Sequence, residues 1–366
     1  MTANGKGHHS RSINNHGEVV VSCADLDSTL KFFIDELDFR IEMITPADNP
    51  TRAVITGYGV RLCLQVGGSG EGTKLRLQIA DRPSKILTAP NGTVVEVVNS
   101  SNEATLPELR ETLVVTPLSS EASWSVGRAG MRYRDLIPGR LGGVFIASHI
   151  HIPVGGPVPD YVHYHRVKFQ MIYCKSGWVR VVYEDQGESF VMNAGDCVLQ
   201  PPEIRHRVLE SSDNLEVIEI GAPAEHETFA EHEITLPTSQ VKPNRDFSGQ
   251  RFVRHIADQT PWLPWRHADF EARNSGIDLA TSGYANAMTI RAKKSAVFAE
   301  SKHQNQLMFM FILSGSAALE TGSDHETKQL QIGTSVTMPS TLNFKFEATA
   351  DDTQFLLVEV RAPARL

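Results

Sequence analysis

The stretch from Pro157 to His206 holds residue types that can do chemistry, at spacings that bring them together. It begins PVPDYVHYHRVKFQMIYCKSG, with His163 and His165 flanking one residue, Gln170 beyond them and Gly177 closing the run. Alternate side chains of an extended strand share a face, so Tyr161, His163 and His165 are expected to project together, with Gln170 joining them from the adjoining strand. The second half, GDCVLQPPEIRHRV, starts at Gly195, passes Pro201 and delivers His206 at the head of another apolar strand. Three neutral imidazoles and an amide oxygen form a donor set that suits a divalent first-row ion. The competing reading is three histidines spread along core strands with no ion to hold.

The pattern His-x-His, then an acid, then Gly, followed by Gly-x5-Pro-x4-His, resembles the paired signature of the cupin superfamily. Two positions depart from it: Gln170 stands where the family has an acid, and Glu203 where it has a glycine after the proline. The resemblance implies a double-stranded β-helix of jelly-roll type. It also implies one divalent metal per chain, held by His163, His165, Gln170 and His206. Iron(II) is favoured, with Zn, Mn or Ni as other occupants.

Glutamine cannot serve as a general base and adds no negative charge, so an ion held here keeps nearly its full formal charge and favours anionic, chelating substrates. A three-imidazole ferrous site resembles that of cupins which cleave diketones and dihydroxy-aromatic acids. The first expectation is therefore an Fe(II)-dependent dioxygenase-like oxidoreductase acting on a small keto, hydroxy or aromatic acid. Gln170 would ligate the ion or donate to bound oxygen, and Tyr161 would orient substrate. Two other classes stay open: a non-redox isomerase, lyase or cyclase with a Lewis-acid metal, and a metal-stabilised binding protein without turnover.

Composition bounds these readings. The chain has 366 residues, 41% hydrophobic and 21% charged, enough for two or three domains. A net charge of −8 without any basic tract argues against nucleic acid and against a polybasic membrane anchor, and favours a small-molecule ligand. Neither an apolar signal core nor a long uninterrupted apolar run is visible, so a cytoplasmic protein is expected. Cys23, Cys63, Cys174 and Cys197 each fall inside an expected strand without CxxC spacing, which fits buried thiols in a reducing compartment.

The elements around the motif follow from periodicity. Residues 1–16 are polar and read as a disordered tail. Residues 17–98 open with a strand, a helix and a strand: Leu30, Phe33, Ile34 and Leu37 recur at helical spacing, and Asp25 or Asp27 can cap the start. Strands follow at RAVITGYG, VRLCLQV, TKLRLQIA and TVVEVVN, completing a βαβββ unit with extra strands. VVVSCADLDSTLKFF and APNGTVVEVV resemble a module of the vicinal oxygen chelate superfamily, which includes glyoxalases and bleomycin-resistance proteins. That resemblance puts Glu18 and Glu96 near the family's ligand positions, but the strand with Cys63 offers no partner, so solvated strand ends are the better reading. A second repeat has lost its helix between Ala80 and Pro90.

Residues 99–131 read as a linker, 132–221 as the metal-binding barrel and 222–275 as a connection between barrels. A second His-x-His, His149 and His151, lacks the acid and glycine that would follow, so both are expected at core or outward strand positions, with His151 at most supporting the ligands. Trp262, Trp265 and His267 are expected to pack at a domain junction. Residues 276–366 repeat the first barrel at a constant offset of 138, carrying Gly177 to Gly315, Gly195 to Gly333 and Pro201 to Pro339. At that offset the ligand positions become Ser301, His303, Met308 and Phe344, which cannot build a nitrogen- and oxygen-rich shell. The expected fold is thus mainly β: two jelly-roll barrels, the second without metal, preceded by a glyoxalase-like α+β module. Bicupins are commonly homodimers with barrels packed sheet to sheet, so both features are expected.

Overall fold

The computed structural model describes residues 16–67, 73–100, 104–119, 124–127, 130–300, 303–322 and 326–362. Apart from its last residue the expected tail lies outside them, as does Ser301. The chain divides into two compact units, Met1–Asn102 and Glu103–Leu366.

In the first unit the strand Val19–Cys23 leads into the helix Leu26–Leu37, where the Asp25 side chain accepts from the backbone N–H groups of Asp27 and Ser28. The helix ends at Asp38, left-handed at φ 56°. Leu26, Leu30, Phe33 and Leu37 form the buried stripe and pack on Ala53, Ile55, Leu62 and Leu64 of the sheet. The strands Arg40–Thr45, Arg52–Gly57 and Val60–Val66 complete that sheet, with Val60–Val66 lying parallel beside Val19–Cys23. Lys74–Ile79, Val94–Asn99 and Lys85–Thr88 make a separate three-stranded sheet. The strand Lys85–Thr88 stands where a repeat of the first half would carry its helix.

The second unit is two barrels, each built of two sheets. In the first barrel Phe169–Ser176 is flanked by Cys197–Leu199 and Leu215–Ala222 in the larger sheet, while His163–His165, His206–Ser211 and Trp178–Tyr183 lie in the smaller. The sequence FQMIYC is apolar almost throughout because both faces of its strand are buried. Phe169, Met171 and Tyr173 face the second barrel, whose Phe309, Phe311, Leu356 and Val358 belong to the same cluster. Ile172 and Cys174 face the first barrel's interior. The barrels therefore pack sheet to sheet.

The repeat offset holds in three dimensions. Trp178–Tyr183 maps onto Ser316–Thr321, and Cys197–Leu199 onto Ser335–Thr337. Gly177 and Gly315 both adopt positive φ, 76° and 67°. The interior of the second barrel is filled by Phe270, Phe298, Phe344, Phe346, Phe355 and Met308. His303 has both ring nitrogens engaged, with the N–H of Asn305 on Nδ1 at 3.2 Å and the carbonyl of Met338 on Nε2 at 3.2 Å.

Two expected connections are structural. Val114–Thr116, in the segment read as a linker, pairs with Ser335–Thr337 of the second barrel, and Ser125–Val126 pairs with Arg132–Asp135 of the first. Thr228–Ala230 and Val253–His255, in the segment read as a connection, add strands to the first barrel. Thr228–Ala230 and Val253–His255 were hidden because three residues are too few to show a strand period. Trp265 packs on Phe298 at the second barrel's core, and Trp262 lies under the guanidinium groups of Arg273 and Arg291. All four cysteines are buried free thiols. No helix among the described residues is long and apolar enough to cross a membrane.

Candidate metal centre

His163 and His206 are direct partners across antiparallel strands, and His165 follows on the same face as His163. The three offer ligand atoms that all lie within 4.8 Å of one another. Their ring centroids are 4.2 Å apart for His163 and His206, 5.1 Å for His163 and His165, and 5.2 Å for His165 and His206.

The tautomers follow from the backbone. His163 Nδ1 lies 2.8 Å from the carbonyl oxygen of Tyr161, and His206 Nδ1 lies 3.0 Å from that of Ile204. A carbonyl can only accept, so Nδ1 carries the proton in both and the neutral ring's lone pair sits on Nε2. His165 Nδ1 is 2.9 Å from Thr228 Oγ1. Behind His163 the buried carboxylate of Asp160 lies 3.6 Å from Nδ1, with its other oxygen accepting from the N–H of Val208 at 2.9 Å. A carboxylate behind a ligating imidazole fixes the ring and raises its basicity. This donor set, three oriented neutral imidazoles, fits a divalent first-row ion.

The histidines line a cavity of about 100 Å³ inside the first barrel. Tyr183, Gln200 and Glu219 also line it, and Met131, Ile150, Val181, Met192 and Val217 are among its apolar side chains. Tyr183 stacks on His206 at 5.6 Å and accepts from Gln200 Nε2 at 3.0 Å, and burial raises its phenol pKa. His226 places its ring edge against His165 at 5.4 Å.

The other expected site residues do not line the cavity. Gln170 is buried, but its Nε2 donates to Glu219 Oε1 at 2.6 Å, and Glu219 is the member of the pair that lines the cavity. Tyr161 is 46% exposed, sets its ring edge against His163 at 5.9 Å and adds nothing to the cavity wall. It lies before the short strand His163–His165, where strict alternation no longer governs direction. Ile150 and Ile152 point into the cavity, so His149 and His151 occupy the opposite face of their strand and cannot support the ligands. Glu18 is bonded by Arg52 and Arg61, and Glu96 by Arg76, so each carboxylate is matched by guanidinium. The sequence reading missed Tyr183, Gln200, Glu219 and His226. Glu219 had a signal: it is an acid inside the apolar strand LEVIEIGA.

Residues 148–221 match the Cupin domain family. Three solved structures share the two-barrel fold. Salicylate 1,2-dioxygenase from Pseudaminobacter salicylatoxidans is 16% identical with TM-score 0.51, the match covering 71% of this chain and 87% of that one. Oxalate decarboxylase from Lactobacillus farciminis, in a formate complex, is 14% identical with TM-score 0.50, covering 71% and 88%. Procruciferin, an 11S globulin from Brassica napus, is 10% identical with TM-score 0.50, covering 70% and 86%. Curated proteins give no match. The second unit therefore shares the two-barrel fold of these three structures, and their varied names leave the reaction to the site itself.

Proposed function

We propose that the chain is a metal-dependent cupin enzyme, an Fe(II)-dependent dioxygenase-like oxidoreductase acting on a small chelating keto, hydroxy or aromatic acid. The observation that carries this reading is the convergence of His163, His165 and His206 in the wall of a cavity lined largely by apolar side chains. These histidines would hold the ion, which when bound supplies dioxygen activation toward a chelated substrate. Tyr183 and Gln200 form a hydrogen-bonded wall beside His206 that can orient the substrate's polar head, and the apolar side chains exclude water from its body. Glu219 favours a second reading, a Lewis-acid isomerase, lyase or cyclase, because a carboxylate in the same cavity can hold a substrate proton. The two repeated barrels support one metal per chain. The strand order of the N-terminal unit supports a vicinal-oxygen-chelate-like module, and a homodimer rests on the bicupin resemblance.

The test begins with metal content. Wild-type protein should hold about one equivalent and His206→Ala should lose it, since removing one of three imidazoles opens the site. Iron-loaded protein should then take up oxygen with a β-diketone, 2-hydroxy acid or dihydroxybenzoate, and zinc-loaded protein should take up none. Anaerobic turnover by the zinc form would replace this reading with the Lewis-acid one. Ligands that raise the Tm of both forms without turnover would leave a binding protein.

A further inference from the structure

We propose that Glu219 sets the charge of the substrate this site accepts, favouring chelating ligands with a single negative charge over dianions; the inference rests on the metal-site reading above. The family signature places its acid at the position of Gln170, and here that side chain is neutral. The carboxylate has not left the site. Ile172 is paired with Glu219 on the neighbouring strand, so Glu219 enters the cavity wall next to the strand that carries Gln170.

Gln170 fixes that carboxylate in place. Its side chain is only 1% exposed, and its amide nitrogen donates to Glu219 Oε1 at 2.6 Å. A hydrogen bond to an ionised acceptor is among the stronger kinds, and a buried amide has few other places to turn. The charge at this point of the wall is thus built in rather than incidental.

The charges around the cavity then decide the ligand. Three neutral imidazoles leave the charge of a divalent ion undiminished, and Glu219 removes one unit within the wall. Asp160, behind His163 and outside the wall, removes a further unit. None of the residues lining the cavity is lysine or arginine. A dianion would therefore set its second charge either near Glu219 or among Met131, Ile150, Val181 and Met192, with no cation to receive it. A monoanionic chelator with an apolar body meets neither obstacle: its oxygens face the histidines and its carbon skeleton packs on the apolar side chains of the wall.

The experiment compares two probes that close the same six-membered chelate ring but differ in charge, acetylacetone as its enolate and malonate as its dianion. Binding is measured by calorimetry on the zinc-loaded full-length protein, with zinc content determined for each variant. Because enolisation costs acetylacetone the same in every variant, the readout is the change in the ratio of the two Kd values. In Glu219→Gln, which preserves shape, the ratio should move toward malonate by about tenfold, the order expected for removing one like charge at partly buried range. Glu219→Asp keeps the charge and should leave the ratio near wild type. A Glu219→Gln protein that retains zinc with an unmoved ratio overturns the inference and leaves the metal reading standing. Wild-type protein that takes up no zinc removes both.

Discussion

His163 and His206 differ from His149 and His303 in which nitrogen is committed. His149 accepts from Arg134 on Nδ1 and lies 2.5 Å from Glu216 through Nε2, and His303 is bonded on both sides, so each is a structural histidine. At the candidate centre the backbone takes Nδ1 and orients Nε2, the arrangement a ligating imidazole needs. The turn that delivers His206 carries a local cost. Glu203 adopts φ 60°, where the family signature has glycine, while Arg205 Nη1 bonds its carbonyl at 3.1 Å. A non-glycine residue there costs about 1–2 kcal/mol, against a flexibility penalty for glycine of roughly 0.5–1 kcal/mol. Glu203→Gly should therefore raise stability by about 0.5–1 kcal/mol in urea denaturation; a drop would mean that the contact of the Glu203 side chain with Arg166 outweighs the strain.

At the scale of elements, the most legible features were those whose spacing is dictated by geometry. The helix Leu26–Leu37 declared itself by its apolar stripe and its Asp25 cap, and the barrel strands by glycines that must turn between them. The three histidines were legible as a cluster because strand alternation places them. Gln170 and Glu219 were not legible as a pair, because their meeting depends on the register between Phe169–Ser176 and Leu215–Ala222, which no local pattern encodes. The strand Val114–Thr116 was hidden for a similar reason, since its partner lies more than two hundred residues away in the chain. Gly315 shows how strictly the turns are fixed: a Cβ there would lie 2.7 Å from Thr353 Cα and 2.8 Å from its N, and φ is 67°. Both obstacles are backbone. Gly315→Ala should cost about 2–4 kcal/mol, read as a lowered urea midpoint at unchanged slope, whereas a neutral outcome would mean the turn can reopen.

At the scale of the whole second unit, the two barrels share an apolar interface with one charged seam. Arg134 donates to the carbonyl of Gly333 in the second barrel at 2.8 Å and faces Nδ1 of His149 at 3.2 Å. Arginine can only donate, so Nδ1 accepts, and the proton of the neutral imidazole lies on Nε2, directed at Glu216, which Lys175 also bonds at 2.7 Å. Phe311 of the second barrel and Trp124 pack on the ring. The hydrogen bond from His149, with Lys175 assisting, holds the Glu216 carboxyl at about 2, far below its ordinary 4.5, while burial pushes His149 below its ordinary 6.5. The signs then follow. Glu216 contributes stability that is fully present above about pH 4.5 and is lost as pH falls toward 2. His149 stays neutral when folded, so below about pH 6.5 protonation favours the unfolded chain and stability declines there too. The metal-free protein should weaken gradually below pH 6.5 and more steeply below 4.5. Glu216→Gln should be less stable at pH 7 by about 1–2 kcal/mol, discounted for partial exposure, and should show a flatter stability curve between pH 4.5 and 2. Urea titrations of both proteins across pH 2–8 check this, and parallel curves would show that the seam between the barrels does not respond to pH through Glu216.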